Sequence, residues 1–532
     1  MSTILDLPNE IHLLIATHLS KKNLYSCIRV RRSFYSAYIQ SLWTDATIQH
    51  FKGSTIPEAI VRTNAHLIEV TGFSACLKQE YYTIVFPRLH TLRLLTFYND
   101  VQKPHYLQVP AALKTQFAQH HPFVRKLVYY HKDNVAKRFW EVVGTEWTQL
   151  DELEFVGLVE TDAVDAFWKV CERVKRLRLR DVKLVPEGAI VPIPSAHGFR
   201  ELESLSITRY GWRDTLSPQS WTLQLLEQVL SLSSGLKSIQ WVVSDVAFPV
   251  RAIQDALKER GCWPELCELN IHDLMWTDQD RSQLLRSLPS RRLLGFHCSG
   301  DIIEPLTYSC LKEMYFGHLH DLRIGRCKGV TSVIAQEILV NCGHLIHFEA
   351  PYIYVRDIAT ASKGWSCLKL ENLMIYIAKQ SEDEPGWDGQ VFEQISRLRR
   401  LQILDLRREQ YFTGTVDDDR TRPFSMATLN LQLDWFPHAE NSSSYSGDGD
   451  GKREVNGSSD RGANVRCWSS LVQLKQFAFK DDRQVIGLKE ALWIVEHWRD
   501  LWCITGEFRG VGIDHQYELE RLFAAREITH YK

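Results

Sequence analysis

The chain reads as an α/β protein: a short all-α N-terminal module followed by a curved solenoid with a concave parallel sheet and helices on the convex side. Three observations predict this. At 532 residues it exceeds what one compact core usually holds, so several domains or a repeat array are expected. A strand pattern with one buried face, L-x-x-L-x-L, recurs at nearly constant steps. Between its copies lie segments with apolar residues every three or four positions, the mark of an amphipathic helix.

The opening stretch, "LDLPNEIHLLIATHLSKKNLYSCIRV" at residues 5–30, is the helical module. Asp6 can cap a helix whose first turn holds Pro8, and Ile11, Leu14, Ile15, His18 and Leu19 then form one apolar stripe. "SKK" interrupts it at 20–22, Leu24, Cys27 and Ile28 mark a second helix, and "VRRSFYSAYIQSLW" supplies a third. Three short helices are near the lower limit for an independent core, so the module must gain stability by burying its remaining apolar face elsewhere.

The order of these residues resembles an F-box. Leu7-Pro8, Glu10-Ile11, Leu14-Ile15, Leu19, Leu24, Cys27, Val30, Arg31-Arg32, Phe34 and Leu42-Trp43 fall where that family places them, with Phe34 standing where many members have tryptophan. The resemblance covers about residues 4–48. It implies docking on a Skp-type adaptor, and through it on a cullin–RING ubiquitin ligase, with Leu7, Pro8, Ile11, Ile15, Leu19 and Leu24 as the adaptor-facing surface.

In "LHDLRIGRCKGVTSVIAQEILVNCGHL" (319–345), Leu319, Leu322 and Ile324 form a strand and Val333, Ile334, Ile338 and Leu339 a helix face, with Cys327 and Cys342 at the junctions. This resembles the cysteine-containing leucine-rich repeat, and the resemblance implies that both cysteines are structural. The strand signature recurs as "LHTLRL" (89–94), "LDELEF" (150–155), "VKRLRL" (174–179), "LESLSI" (202–207) and "LKSIQW" (236–241), then "LCELNI" (266–271), "LENLMI" (370–375) and "LRRLQI" (398–403). Consecutive starts from 150 onward lie 24, 28, 34 and 30 residues apart, straddling the ~20 to 29 of such repeats, with insertions. The register at 291–324 is ambiguous, because "LKEMYF" (311–316) lies too close to "LHDLRI" for both to head repeats. In "TDAVDAFWKVCERV" (161–174), Val164, Phe167, Trp168 and Cys171 share one helix face.

The segment 438–466 is rich in Ser, Gly, Asn and Asp and has too few apolar residues to offset its ordering entropy, so it is expected to be a disordered insert. The organisation is then residues 1–50, the adaptor-docking module; 51–437, the solenoid; 438–466, the insert; and 467–532, the last repeats with a tryptophan-rich cap.

Formal net charge is -2, which does not favour nucleic acid as partner. No apolar run approaches the ~18 to 20 residues of a membrane span, and the N-terminus lacks signal-peptide features, so a cytoplasmic or nuclear location is expected. Twelve cysteines occur without a CxxC pair or zinc-ligand spacing, and no cofactor or metal is expected. Nucleophile-elbow, zinc-protease, phosphate-loop and dinucleotide motifs are absent, so the chain is expected to perform no catalysis itself. The resemblance makes it the substrate-recognition subunit of a Skp–cullin–F-box ligase; the alternative is a leucine-rich-repeat scaffold outside ubiquitin transfer. Residues flanking the second leucine of a strand point outward, which sets Arg176, Arg178 and Arg180 in a row beside Ser206 and Thr208, next to Glu152 and Glu154. With Tyr210, Trp212, Trp241 and Trp276 expected on adjoining loops, this is the candidate surface for an unknown protein substrate.

Overall fold

A computed structural model describes residues 7–48, 56–74, 79–95, 110–130, 135–184, 198–209, 229–243, 250–272, 277–288, 292–303, 305–380, 387–407, 421–423, 470–479, 488–506 and 513–531. The chain divides into two compact units, residues 1–266 with 287–289, and 267–286 with 290–532.

The first unit begins with α1 (Asn9–Thr17), α2 (Lys21–Val30) and α3 (Arg32–Thr44). The Pro8 carbonyl accepts the N–H groups of Ile11 and His12 at 3.0 and 3.2 Å, and Ser20 caps α2 by accepting from the Asn23 N–H at 3.2 Å. Asp6, the expected cap of α1, lies outside the described residues. Ala16, Leu24 and Tyr38 form the small core, with Leu19, Phe34 and Leu42 packed against it. His12 is buried there too, its Nδ1 3.0 Å from the Tyr38 hydroxyl.

α3 runs into β1 (Asp45–Ile48) with no residue between. There follow β2 (Val70–Ser74), β3 (Thr91–Leu95), β4 (Lys126–Tyr130), β5 (Glu152–Val159), β6 (Arg176–Leu184), β7 (Ser204–Arg209) and β8 (Ser238–Val243). Each pairs in parallel with its predecessor. Parallel strands need a crossover. Helices α4 (Glu58–Asn64), α5 (Ala111–His120), α6 (Lys137–Glu146), α7 (Val164–Cys171) and α8 (Val250–Arg260) lie in such connections or follow the last strand. The expected face of α7, Val164, Phe167, Trp168 and Cys171, is buried. Trp140, Phe155 and Phe167 interlock across two coils with ring centroids 4.9–5.4 Å apart.

The second unit repeats the plan. β9 (Glu268–His272), β10 (Gly295–Ile302), β11 (Asp321–Lys328), β12 (His347–Tyr354), β13 (Asn372–Gln380) and β14 (Ile403–Asp405) pair successively in parallel. β15 (Thr421–Pro423) lies antiparallel to the far end of β13. β14 then pairs directly with β16 (Gln476–Ala478), followed by β17 (Cys503–Thr505) and β18 (Thr529–Tyr531). The insert 438–466 is outside the described residues, and the array resumes in register after it. Strand-then-helix coils stacked in this way make each unit a leucine-rich-repeat array. Cys327 and Cys342 are buried inside their coil; the Cys327 thiol donates to the Cys298 carbonyl at 3.1 Å, and burial pushes the Cys342 thiol well up.

The structure settles the register left open at 291–324 and corrects one strand start. "LKEMYF" is helical, within a segment Pro305–Met314 and the turn after it, and the strand of that coil is β10. "LRRLQI" is three residues early: β13 register aligns Asn372 with Ile403, so the coil is headed by Leu401.

His121 gives a pH prediction. Its Nε2 accepts the Phe86 N–H at 2.9 Å, and its Nδ1 lies 2.6 Å from the Phe117 carbonyl, an arrangement only the neutral ring satisfies on both sides. Burial lowers its pKa from 6.5 to about 4, against the opposing Phe117 hydrogen bond and with a small contribution from His120. The unfolded chain therefore binds this proton more readily, so the stability is complete above pH 6.5 and is lost as pH falls toward 4, by roughly 3 kcal/mol. Urea midpoints measured from pH 7 to pH 4 are predicted to fall accordingly, and His121→Gln, which keeps an acceptor and a donor, to flatten that slope.

Candidate functional site: an apolar helix face and a charged sheet face

Two surfaces of the first unit stand out. On α1 the residues facing the module core are His12 and Ala16. The opposite side is also apolar: Leu7, Ile11 and Leu14, spaced four and three residues apart, are 37%, 40% and 57% exposed. A helix apolar on both sides requires a second partner for the outer one. Of the predicted docking residues, Leu7, Pro8 and Ile11 are exposed and Ile15 is half-buried. Leu19 packs partly against the core. Leu24, at 3% exposure, is a core residue and not a docking one, because the face of α2 that carries it turns toward Ala16 and Tyr38. Leu14, part of the apolar stripe but not of the predicted docking set, is the most exposed of the outer leucines. Lys21, Lys22, Arg29, Arg31 and Arg32 are all exposed, against a single acid, Glu10, over residues 7–44.

The second surface is the outer face of β4, β5 and β6. Register aligns Lys126, Glu152 and Arg176 in one row and Glu154 with Arg178 in the next. Lys126 Nζ is 2.9 Å from Glu152, and Arg176 Nε is 3.2 Å from its other oxygen. Glu154 receives Arg180 at 3.1 Å, Arg178 at 3.8 Å and a hydrogen bond from the Tyr130 hydroxyl. The Arg180 guanidinium also lies 5.9 Å from the Tyr130 ring centroid. Burial raises Tyr130 to about 12, reinforced by its hydrogen bond to Glu154. Burial alone would raise the Glu152 carboxyl, but hydrogen bonds and charge from Lys126 and Arg176 outweigh it and hold the group below its usual range.

The three predicted arginines therefore do share one strand and one face, and Ser206 and Thr208 lie beside them on β7. Trp241 is not on that face. It occupies an inner position of β8, in register with Ile207, and is fully buried at 0% exposure, because strand alternation turns the last residue of "LKSIQW" inward. Tyr210, Trp212 and Trp276 lie outside the described residues. Lys126 and Tyr130 were missed because β4 was not recognised. The signal was present in "VRKLVY" (124–129), 26 residues before the next strand signature.

No protein-family profile matches the chain, and no curated protein does. Solved structures with likeness to it include a leucine-rich-repeat protein of Leptospira interrogans, at 11% identity and TM-score 0.35, covering 89% of this chain and 98% of that one. The yeast Rad7 and Elc1 complex matches at 13% identity and TM-score 0.40, over 71% of this chain and 91% of that one. A Bacteroides fragilis protein matches at 10% and 0.29, over 54% and 75%. At these values none bears on what the chain does. Among the described residues no helix is long and apolar enough to cross a membrane, and no group of His, Cys, Asp or Glu could hold a metal ion.

The charge row carries its own prediction. With its folded pKa below 4.5, Glu152 adds stability that is present above pH 4.5 and lost as pH falls through the folded value. The urea midpoint of Glu152→Gln is predicted to lie below that of the natural chain at pH 7, and the gap to close in acid.

Proposed function

We propose that the chain is a receptor subunit that docks a Skp-type adaptor through its N-terminal helices, and through it a cullin, while the repeat array holds a protein substrate for ubiquitin transfer. The observation that carries this reading is the two-sided apolarity of α1. Its inner side closes the module, and its outer side, Leu7, Ile11 and Leu14, has no covering among the described residues. The five exposed cations around a single acid favour an acidic partner surface, in a chain whose overall charge is -2. On this reading the chain does no bond chemistry. It raises the effective concentration of substrate near the charged conjugating enzyme, in the cytoplasm or nucleus, without a cofactor.

The test is co-purification with a Skp-type adaptor, alone and with cullin. Truncating one exposed apolar anchor in such an interface often costs ~2 kcal/mol or more. The double variant Leu7→Ala/Pro8→Ala is predicted to lose most adaptor, and Ile11→Asp with Leu14→Asp all of it, with circular dichroism unchanged because these side chains are exposed. Undiminished adaptor capture by the Asp variant would overturn the docking reading. Capture of adaptor without cullin would favour a scaffold outside ubiquitin transfer.

A further inference from the structure

The arginines of β6 stand at every second residue of one strand, so their side chains leave the sheet at intervals of about 6.6 to 6.8 Å. They pair with neighbouring carboxylates but are not covered by them. The side chains of Glu152 and Glu154 are only 14% and 10% exposed, whereas those of Arg176, Arg178 and Arg180 remain 45%, 43% and 42% exposed. The carboxylates act as supports beneath the guanidinium groups. Lys126 and the three arginines outnumber the two carboxylates, so this part of the face keeps a positive excess. The far flank does nothing to neutralise it. The outer positions of β7 and β8 are Ser204, Ser206, Thr208, Ser238, Gln240 and Val242, all uncharged, with the Ser206 hydroxyl held by Gln240 at 2.8 Å. Ser206 and Thr208 are themselves buried, at 5% exposure each, so the half-exposed guanidinium groups stand above a closed, uncharged floor.

We propose that the β6 arginine column is the docking track for an extended protein segment bearing acidic or phosphorylated side chains at alternate positions. An extended chain laid along β6 has the same two-residue period as the column, so each anionic side chain meets one guanidinium. Guanidinium groups bind carboxylate and phosphate through paired, charge-assisted hydrogen bonds, which suits them to either source of anion. This inference rests on the receptor reading above and names the class of substrate for it. The near-neutral chain as a whole argues for a peptide rather than a nucleic acid.

The test uses the full chain and fluorescein-labelled twelve-residue peptides, read by anisotropy at two salt concentrations. One peptide carries Asp at alternate positions, one carries phosphoserine there, and a third has the same Asp content in one block. Both alternating peptides are expected to bind more tightly than the block, and Arg178→Ser to weaken them by about tenfold. Phosphoserine binding more tightly than Asp would assign the phosphorylated source, and the reverse the acidic one. Arg178→Lys, which keeps the charge and the fold but loses the paired geometry, is expected to give an intermediate loss. Glu154→Gln keeps an amide oxygen beneath Arg178 and Arg180 but removes the competing negative charge, so it is expected to tighten binding about threefold.

Unchanged binding in the triple Arg→Ser variant would overturn the proposal. So would weakening by Glu154→Gln in step with Arg178→Ser, since the row would then only hold the coil together. An oligothymidylate displacing the peptide at equal charge would point to nucleic acid and overturn it as well. Adaptor capture is measured on the same samples: peptide loss with adaptor retained is a failure of this inference alone, and adaptor loss with peptide binding intact is a failure of the docking reading alone.

Discussion

The array depends on one repeated hydrogen-bond device. At the start of most strands a single backbone carbonyl accepts two successive N–H groups from the next coil. Asp151 takes Lys175 and Arg176 at 2.9 and 3.0 Å, Lys175 takes Glu203 and Ser204 at 2.8 and 3.0 Å, and Glu203 takes Lys237 and Ser238 at 2.7 and 3.1 Å. The second unit uses the same device at Leu294, His320, Ile346, Glu371, Gln402 and Lys475. Sharing one acceptor fixes where each strand begins relative to the last, leaving no freedom to slip by a residue. A one-residue slip would turn every inner side chain outward. Gln402 and Lys475 keep this bond although 73 residues separate them in sequence. β14 and β16 are therefore direct neighbours in the sheet despite that separation in sequence.

Fixed register also dictates the surface. Residues at the same outer position of neighbouring strands are brought about 4.8 Å apart, where like charges repel and unlike charges attract. The rim accordingly alternates: Lys175 pairs with Asp151 at 3.1 Å, and Lys237 with Glu203 at 3.2 Å and Glu265 at 3.7 Å. Such exposed pairs are individually worth little. Their contribution is to reinforce the register the backbone has set. On the flat of the sheet the alternation runs Lys126, Glu152, Arg176 and then stops, since β7 offers Ser204. That interruption, and not the presence of arginine as such, distinguishes the β6 face from the rim.

Most of the repeat pattern was legible in the sequence, because strand alternation and leucine spacing are local properties. The open register and the misses have physical causes. "LKEMYF" satisfies the strand pattern, but Leu311 and Met314 are also three apart, as a helix face requires, and helix won there. Leu398 and Leu401 stand in the same relation, which allowed a three-residue slip that only pairing with β13 resolves. At positions where leucine is usual the β4 coil carries Val124 and Tyr129 and the β10 coil Phe296 and Cys298, so the signature faded although the coils are intact. In the N-terminal module the sequence shows that helices are apolar but not which apolar side turns inward. That is decided by His12 and Tyr38, whose polar atoms meet at 3.0 Å in the core and draw α1 onto α3 by the face opposite Leu7, Ile11 and Leu14.

The junction between module and array has a consequence for what a two-ended protein can do. A flexible linker would let the helices and the sheet face wander, and the effective concentration at one end of a partner held at the other would fall with linker length. Here α3 becomes β1 without an intervening residue. Asp45, at that boundary, is held from both sides: Lys21 of α2 donates to its backbone carbonyl and lies 3.9 Å from its carboxylate, and Arg93 of β3 is 3.4 Å from the same side chain. Behind it the buried Thr71 hydroxyl donates to the Ala46 carbonyl at 3.0 Å, tying β2 to the first strand. Within this unit the helices are thus an extension of the first coils, and whatever docks on α1 is carried by the same stack that presents β6.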